Sequence, residues 1–131
     1  MPRPSTIVLV CEHGAAKSVI AAAHFNKLAR ERKLRFHAIA RGTHPDQELS
    51  PITVTGLLED GLTPIESVPR ELSLADVESA GRIITFCELP EEYEQKARVE
   101  QWNGVPPVSE NYELARDAII ERINILIITL S

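Results

Sequence analysis

Ile7-Val8-Leu9-Val10-Cys11-Glu12-His13-Gly14-Ala15-Ala16-Lys17-Ser18 is the stretch that decides the fold of this chain. Its apolar, β-branched opening suits a buried strand, and the strand ends on a cysteine. A small-residue loop containing Gly14 follows, then Lys17, Ser18 and a helical run over 19–30. A strand feeding a tight loop and a helix N-terminus makes an anion site, because unpaired backbone N–H groups and the helix dipole converge there. Cys11 stands at the mouth of that site with Lys17 further along the loop, surroundings that favour a thiolate and hence a nucleophile. The chemistry expected of this combination is covalent attack on a tetrahedral oxyanion.

Outward from this stretch, apolar runs suited to buried parallel strands alternate with helical segments. Strand one covers about 6–10, and the helix after it carries Ala21, Phe25 and Leu28 on one face. Strand two reads over 34–40. Ser50 and Pro51 open a second helix that runs to about 60, with Gly61 as a left-handed terminator. Ser73 caps a short helix through 79, stopped by Gly81, and 82–86 is strand three. A helix over 91–97, a short fourth strand over 97–102 and a long helix over about 110–130 complete the order. Such alternation favours right-handed crossovers and a doubly wound α/β sheet in one domain, 1–131. Ile123, Ile125, Leu126, Ile127, Ile128 and Leu130 crowd the last turns of the closing helix without a clear polar face. The first reading is a helix clamped against the sheet, and the second is a homodimer contact.

Composition bounds the function. At 131 residues the chain fits a single core, and 44% hydrophobic with 25% charged residues is ordinary for a globular domain. The net charge of −5 argues against coating nucleic acid, so no nucleic-acid partner is expected. No usual signal peptide precedes the first strand and no run is long enough to span a membrane, so no membrane partner is expected either. Two cysteines make no disulfide framework, and a thiol nucleophile needs a reducing compartment. The expected location is cytoplasmic.

The motif at residues 11–18 resembles that of the low-molecular-weight protein tyrosine phosphatase and thioredoxin-coupled arsenate reductase superfamily: a cysteine, five residues, then arginine and a serine or threonine. The likeness extends along the chain. Ala40-Arg41-Gly42-Thr43 resembles the family's Ser-Ala-Gly-Thr, and 51–61 resembles the helix that follows it. Residues 83–88 resemble the third strand, and Trp102 falls where arsenate reductases have a tryptophan. The resemblance implies a three-layer α/β/α domain with a four-stranded parallel sheet in the order 2-1-3-4. It also implies a phosphate or similar oxyanion held by the loop residues Glu12, His13, Gly14, Ala15, Ala16 and Lys17. Cys11 would be the nucleophile, Lys17 would stand in the arginine position, and Ser18 would support the thiolate. The ligand would be borne by a phosphorylated protein or a small molecule.

Two departures qualify the implied activity. Lysine is a flexible point charge and does not reproduce the planar, two-toothed clamp of arginine on a transition state. The family's general acid is an aspartate before a proline, whereas the corresponding 104–110 here reads Gly-Val-Pro-Pro-Val-Ser-Glu. Glu110 is the nearest carboxylate and Asp117 lies further along the closing helix. Cys87 matches the first resolving cysteine of the reductases and is either a redox partner or a buried thiol, while the second resolving cysteine is missing. His13, Cys11 and Cys87 lack metal-ligand spacing, so neither a metal nor a cofactor is expected. His24, His37 and His44 have no motif context. The expectation is a divergent cysteine-dependent phosphatase; the alternatives are an impaired oxyanion-binding or regulatory module and an arsenate reductase-like protein.

Overall fold

In the computed structural model, which describes residues 5–94 and 99–130, strand β1 (Ser5–Cys11) lies inside a four-stranded parallel sheet. The order is β2 (Phe36–Gly42), β1, β3 (Ala80–Thr85), β4 (Val99–Gln101). Both faces of β1 are covered, as its unbroken apolar run requires. Ile7 and Leu9 pack with Phe25, Ile84, Ile119 and Ile123, while Val8 and Val10 pack with Leu72, Val77, Ile83 and Leu89. The first face belongs to helices α1 (Lys17–Glu31) and α5 (Tyr112–Leu130), with α2 (Pro51–Glu59) beside them. The second carries α3 (Leu74–Ser79), and the short α4 (Glu91–Glu94) precedes β4. The result is the three-layer α/β/α architecture with the expected strand order.

Local chemistry sets most boundaries. The Ser50 hydroxyl accepts from the Thr53 amide, Pro51 starts α2, and Gly61 closes it at a φ of +78°. Ser73 and Asp76 form a reciprocal capping box at α3. Three expectations need correction. Strand two starts at Phe36 rather than 34, because Lys33 adopts a φ of +55° and the Leu34 amide folds back onto the Ala29 carbonyl. Gly81 does not stop α3: Ala80 is already extended and Gly81 lies within β3. Helix α5 begins at Tyr112, where Asn111 Oδ1 accepts from the Leu114 amide. The parts of the expected fourth helix and strand at 95–98 lie outside the described residues.

The closing helix divides its isoleucines. Ile119, Ile123, Leu126 and Ile127 are buried in the core, whereas Ile125 and Ile128 are 60% and 69% exposed. Helices α1, α2 and α5 are joined by a polar knot. Tyr112 packs over Gly56 and donates to Asp60 at 2.8 Å, Arg116 donates to Asp60 at 2.9 Å, and His24 Nε2 stands 3.4 Å from it. Burial alone would raise the Asp60 pKa, but the Tyr112 and Arg116 bonds more than offset it and hold that carboxyl below its usual range. Burial holds His24 below the ordinary histidine range. No helix among the described residues is long and apolar enough to cross a membrane.

Strand β2 is an outer strand, yet its backbone is not left bare. Asn26 of α1 reaches over it, donating to the Ala38 carbonyl at 3.0 Å and accepting from the Ala38 amide at 2.8 Å. Further along, Gly42 bridges to Glu71, with Gly42 N donating to the Arg70 carbonyl and Leu72 N to the Gly42 carbonyl. Replacing the buried Asn26 by leucine orphans a buried N–H and a buried C=O. Asn26→Leu is therefore expected to lower stability by about 1–3 kcal/mol or more, read as a lower urea midpoint with an unchanged m-value. An unchanged midpoint would mean that water satisfies Ala38.

Candidate functional site

The loop between β1 and α1 is held from outside. Thr43 N donates to the Cys11 carbonyl, His44 N to Glu12, Asp46 N to His13 and Ser50 N to Ala15, at distances between 2.7 and 3.2 Å. In a trans peptide the C=O and the following N–H point in opposite directions. Carbonyls turned toward the β2–α2 segment therefore turn the amides of Glu12, His13, Gly14 and Ala16 the other way. On that side Cys11, Glu12, His13, Ala15, Ala16 and Lys17 line an open cavity. Gly14 turns the loop at a φ of +62° and lies against Gly42, where neither glycine has room for a Cβ without touching the other's backbone.

Helix α1 starts at this cavity with its N-terminus free of a side-chain cap, because Ala16 is the capping residue and no acidic residue occupies the first turn. Those orphan donors and the dipole favour an anion. Lys17 occupies the first helical position, half-buried and without an ion-pair partner among the described residues. A cation there is unfavourable unless an anion sits beside it. Arg41 does not supply the missing guanidinium. Near the end of β2 it is bonded to Asp76 at 3.0 Å, to Glu66 and to the Ala40 carbonyl at 2.8 Å, and Arg70 pairs with the same Glu66.

Cys11 is 8% exposed, with its Sγ 3.0 Å from the Ser18 hydroxyl. Cys87 lines the same cavity, because β1 and β3 are neighbours in register and Val10 opposes Thr85. Burial pushes the Cys87 thiol above its ordinary range against the Thr85 and Thr43 hydroxyls, and Cys11 and Glu12 push the same way. Cys87 is thus kept protonated.

Other walls came from places the sequence did not mark. Asp46 and Ser50 enter from the β2–α2 segment, Phe86 from the end of β3, and Pro107, Val108 and Ser109 from the turn before α5. Trp102 is buried edge-on against Phe86, at 5.7 Å between centroids and 81°, and supports that ring from behind. Above the loop, His13 Nδ1 lies 3.2 Å from Asp46 Oδ1, and Nε2 lies 3.8 Å from Glu12 Oε2. Neither Glu110 nor Asp117 lines the cavity. Glu110 is in a turn closed by its amide on the Pro107 carbonyl, and Asp117 pairs with Arg116 at 3.0 Å. Val105 is buried in the core, outside the cavity lining. No group of three or more metal-ligating side chains occurs among the described residues.

No protein-family model and no curated protein sequence matches the chain. Solved structures do. An arsenate reductase from Archaeoglobus fulgidus is 26% identical over 92% of this chain and 97% of its own, with a TM-score of 0.73. An arsenate reductase in its phosphate-binding state is 18% identical over 97% and 99%, at 0.80. A low-molecular-weight protein tyrosine phosphatase from T. tengcongensis is 16% identical over 96% and 99%, at 0.84. The likeness spans nearly the whole length of each protein.

Proposed function

We propose that this chain, which has the fold shared by low-molecular-weight protein tyrosine phosphatases and arsenate reductases, binds phosphate or a similar oxyanion in the loop from Cys11 to Ser18. There it hydrolyses phosphomonoesters of a protein or small molecule through a Cys11 adduct. The observation that carries this reading is the outward anchoring of the loop carbonyls, which leaves successive amides converging on the side where Cys11 lies. Equatorial oxygens of a phosphoryl group take up those amides, and Lys17 adds a point charge where the dipole already favours an anion. The Ser18 hydroxyl donates to the Cys11 thiolate, and the sulfur attacks phosphorus in line with the ester oxygen. A thiol at this position separates the enzyme reading from a plain anion-binding module, which needs no nucleophile.

Cys87 favours a second reading, arsenate reduction, because it puts another thiol on the same cavity. There Cys11 would take the arsenate and Cys87 would close a disulfide onto it, to be reduced by an external dithiol.

The test uses dinitrophenyl phosphate, whose leaving group needs little protonation, and iodoacetate alkylation followed by peptide mass spectrometry. The expected result is hydrolysis, together with alkylation of Cys11 in preference to Cys87 and protection of Cys11 by inorganic phosphate. Arsenate-dependent appearance of a Cys11–Cys87 disulfide without ester hydrolysis would select the reductase reading. Alkylation of Cys11 indifferent to phosphate and to arsenate would remove both.

A further inference from the structure

We propose that His13, held by Asp46, is the proton donor to the leaving group and the base for the water that follows. It would fill the role that the 104–110 segment leaves vacant. The inference rests on the reading of Cys11 as nucleophile and goes beyond it.

An ester oxygen leaving phosphorus needs a proton from a group on the cavity wall. Among the titratable side chains that line it, Cys11 is the nucleophile and Lys17 lies at the helix start beside the amides that receive the phosphoryl oxygens. Cys87 is bonded to the Thr85 hydroxyl through its thiol and its amide. Glu12 and Asp46 are carboxylates, acceptors rather than donors once ionised, and each faces the His13 ring. His44, the other nearby histidine, is engaged with the Thr43 hydroxyl and is not part of the lining. His13 is the lining residue whose ring nitrogens can both give and take a proton.

Its position is fixed from two sides. The Asp46 amide donates to the His13 carbonyl at 3.0 Å, and the Asp46 carboxylate stands 3.2 Å from Nδ1 at ion-pair distance. One residue thus bonds the backbone and faces the ring, a carboxylate placed to orient an imidazole. Nε2 is left to exchange a proton, with the Glu12 carboxylate 3.8 Å away.

The step balances without any further reagent. The Cys11 sulfur lone pair forms the S–P bond as the P–O ester bond breaks, its electron pair passing to the ester oxygen. That oxygen takes the Nε2 proton of the His13 imidazolium and departs as an alcohol or phenol. Neutral His13 then takes a proton from water as the water oxygen bonds to phosphorus and the S–P bond breaks. This regenerates the Cys11 thiolate, the imidazolium and inorganic phosphate.

The experiment compares dinitrophenyl phosphate with phenyl phosphate across a pH series in the full chain. His13→Gln is expected to lower kcat/KM, which reads the steps up to S–P bond formation, by ~10²-fold or more for phenyl phosphate and only a few-fold for the dinitrophenyl ester, while hydrolysis of the shared adduct slows alike for both. It should also flatten the basic limb of kcat/KM for the phenyl ester. Asp46→Asn, which keeps the shape, should show the same selectivity to a smaller degree, and added imidazole should restore phenyl ester turnover in His13→Ala. Circular dichroism checks that these exposed substitutions leave the fold intact. Equal losses of kcat/KM on both esters, or a basic limb kept in His13→Gln, overturns the assignment. Absence of Cys11-dependent turnover even of the dinitrophenyl ester overturns the nucleophile reading instead, and the proposal with it.

Discussion

Cys11→Ser is expected to abolish hydrolysis of dinitrophenyl phosphate while inorganic phosphate still binds. The loss should be on the order of 10³–10⁶-fold, the scale on which removing a nucleophile acts in covalent catalysis. Serine keeps the size and the bond to Ser18, but its hydroxyl is a weak nucleophile unless a neighbouring base activates it. The loop amides are untouched, because their orientation comes from the carbonyls bound to Thr43, His44, Asp46 and Ser50. Isothermal titration with phosphate, or with vanadate, therefore reads the pocket separately from the chemistry. Ser18→Ala is the graded companion: losing a hydrogen bond to a charged group should cost roughly ten- to a hundredfold in rate. Turnover that survives Cys11→Ser would assign the hydrolysis to another group or to a contaminant.

The second large effect reaches the site through the backbone. A Cβ at residue 42 would stand 2.7 Å from Gly14 N and 2.9 Å from both Gly14 Cα and the His13 carbonyl carbon. All three atoms are main chain, so no side chain can swing aside. Gly42→Ala must push the loop off β2 and break the alignment of Thr43 and His44 with the Cys11 and Glu12 carbonyls. The expected outcome is loss of phosphate protection at Cys11 and of turnover, with a stability penalty of about 1–3 kcal/mol from overpacking. Gly81→Ala is the matched control, because its Cβ meets nothing nearer than 3.4 Å. If Gly42→Ala keeps both phosphate binding and turnover, the tight apposition of the two glycines is not what shapes the pocket.

Much of this is legible in the sequence, for identifiable reasons. The 7–18 stretch reads correctly because strand, loop and helix are contiguous and each announces itself locally. Ser50, Pro51 and Gly61 are likewise local signals, and α2 has the ends they dictate. Strand two slipped by two residues because a left-handed lysine, Lys33, carries no compositional mark. Asp46 was invisible for a different reason: its place depends on the pairing of Cys11 with Gly42, a contact between distant residues. One general rule would have found it. Parallel neighbours end on the same edge of a sheet, so the segment leaving β2 has to flank the segment leaving β1. The same reasoning brings Cys87 to the cavity, and that expectation could be drawn from the order of strands alone. The 104–110 segment defeats sequence reading because proline-rich irregular backbone has no period, and only its path shows that Ser109 faces the cavity while Val105 does not.

The covering of β2 has a consequence for how copies of this chain behave toward one another. A free strand edge recruits strands from other molecules, and that is a common seed of aggregation. Along the outer side of β2, the backbone groups at Ala38 are taken by Asn26, the Ala40 carbonyl by the Arg41 guanidinium, and those of Gly42 by residues 70–72. Three positions along the edge are thus engaged, each by a different device. Such engagement leaves fewer backbone groups free to recruit a strand from another copy. Substitutions at Asn26 or Arg41 that leave the pocket intact would then appear first as clumping during refolding, before any loss of activity is measured.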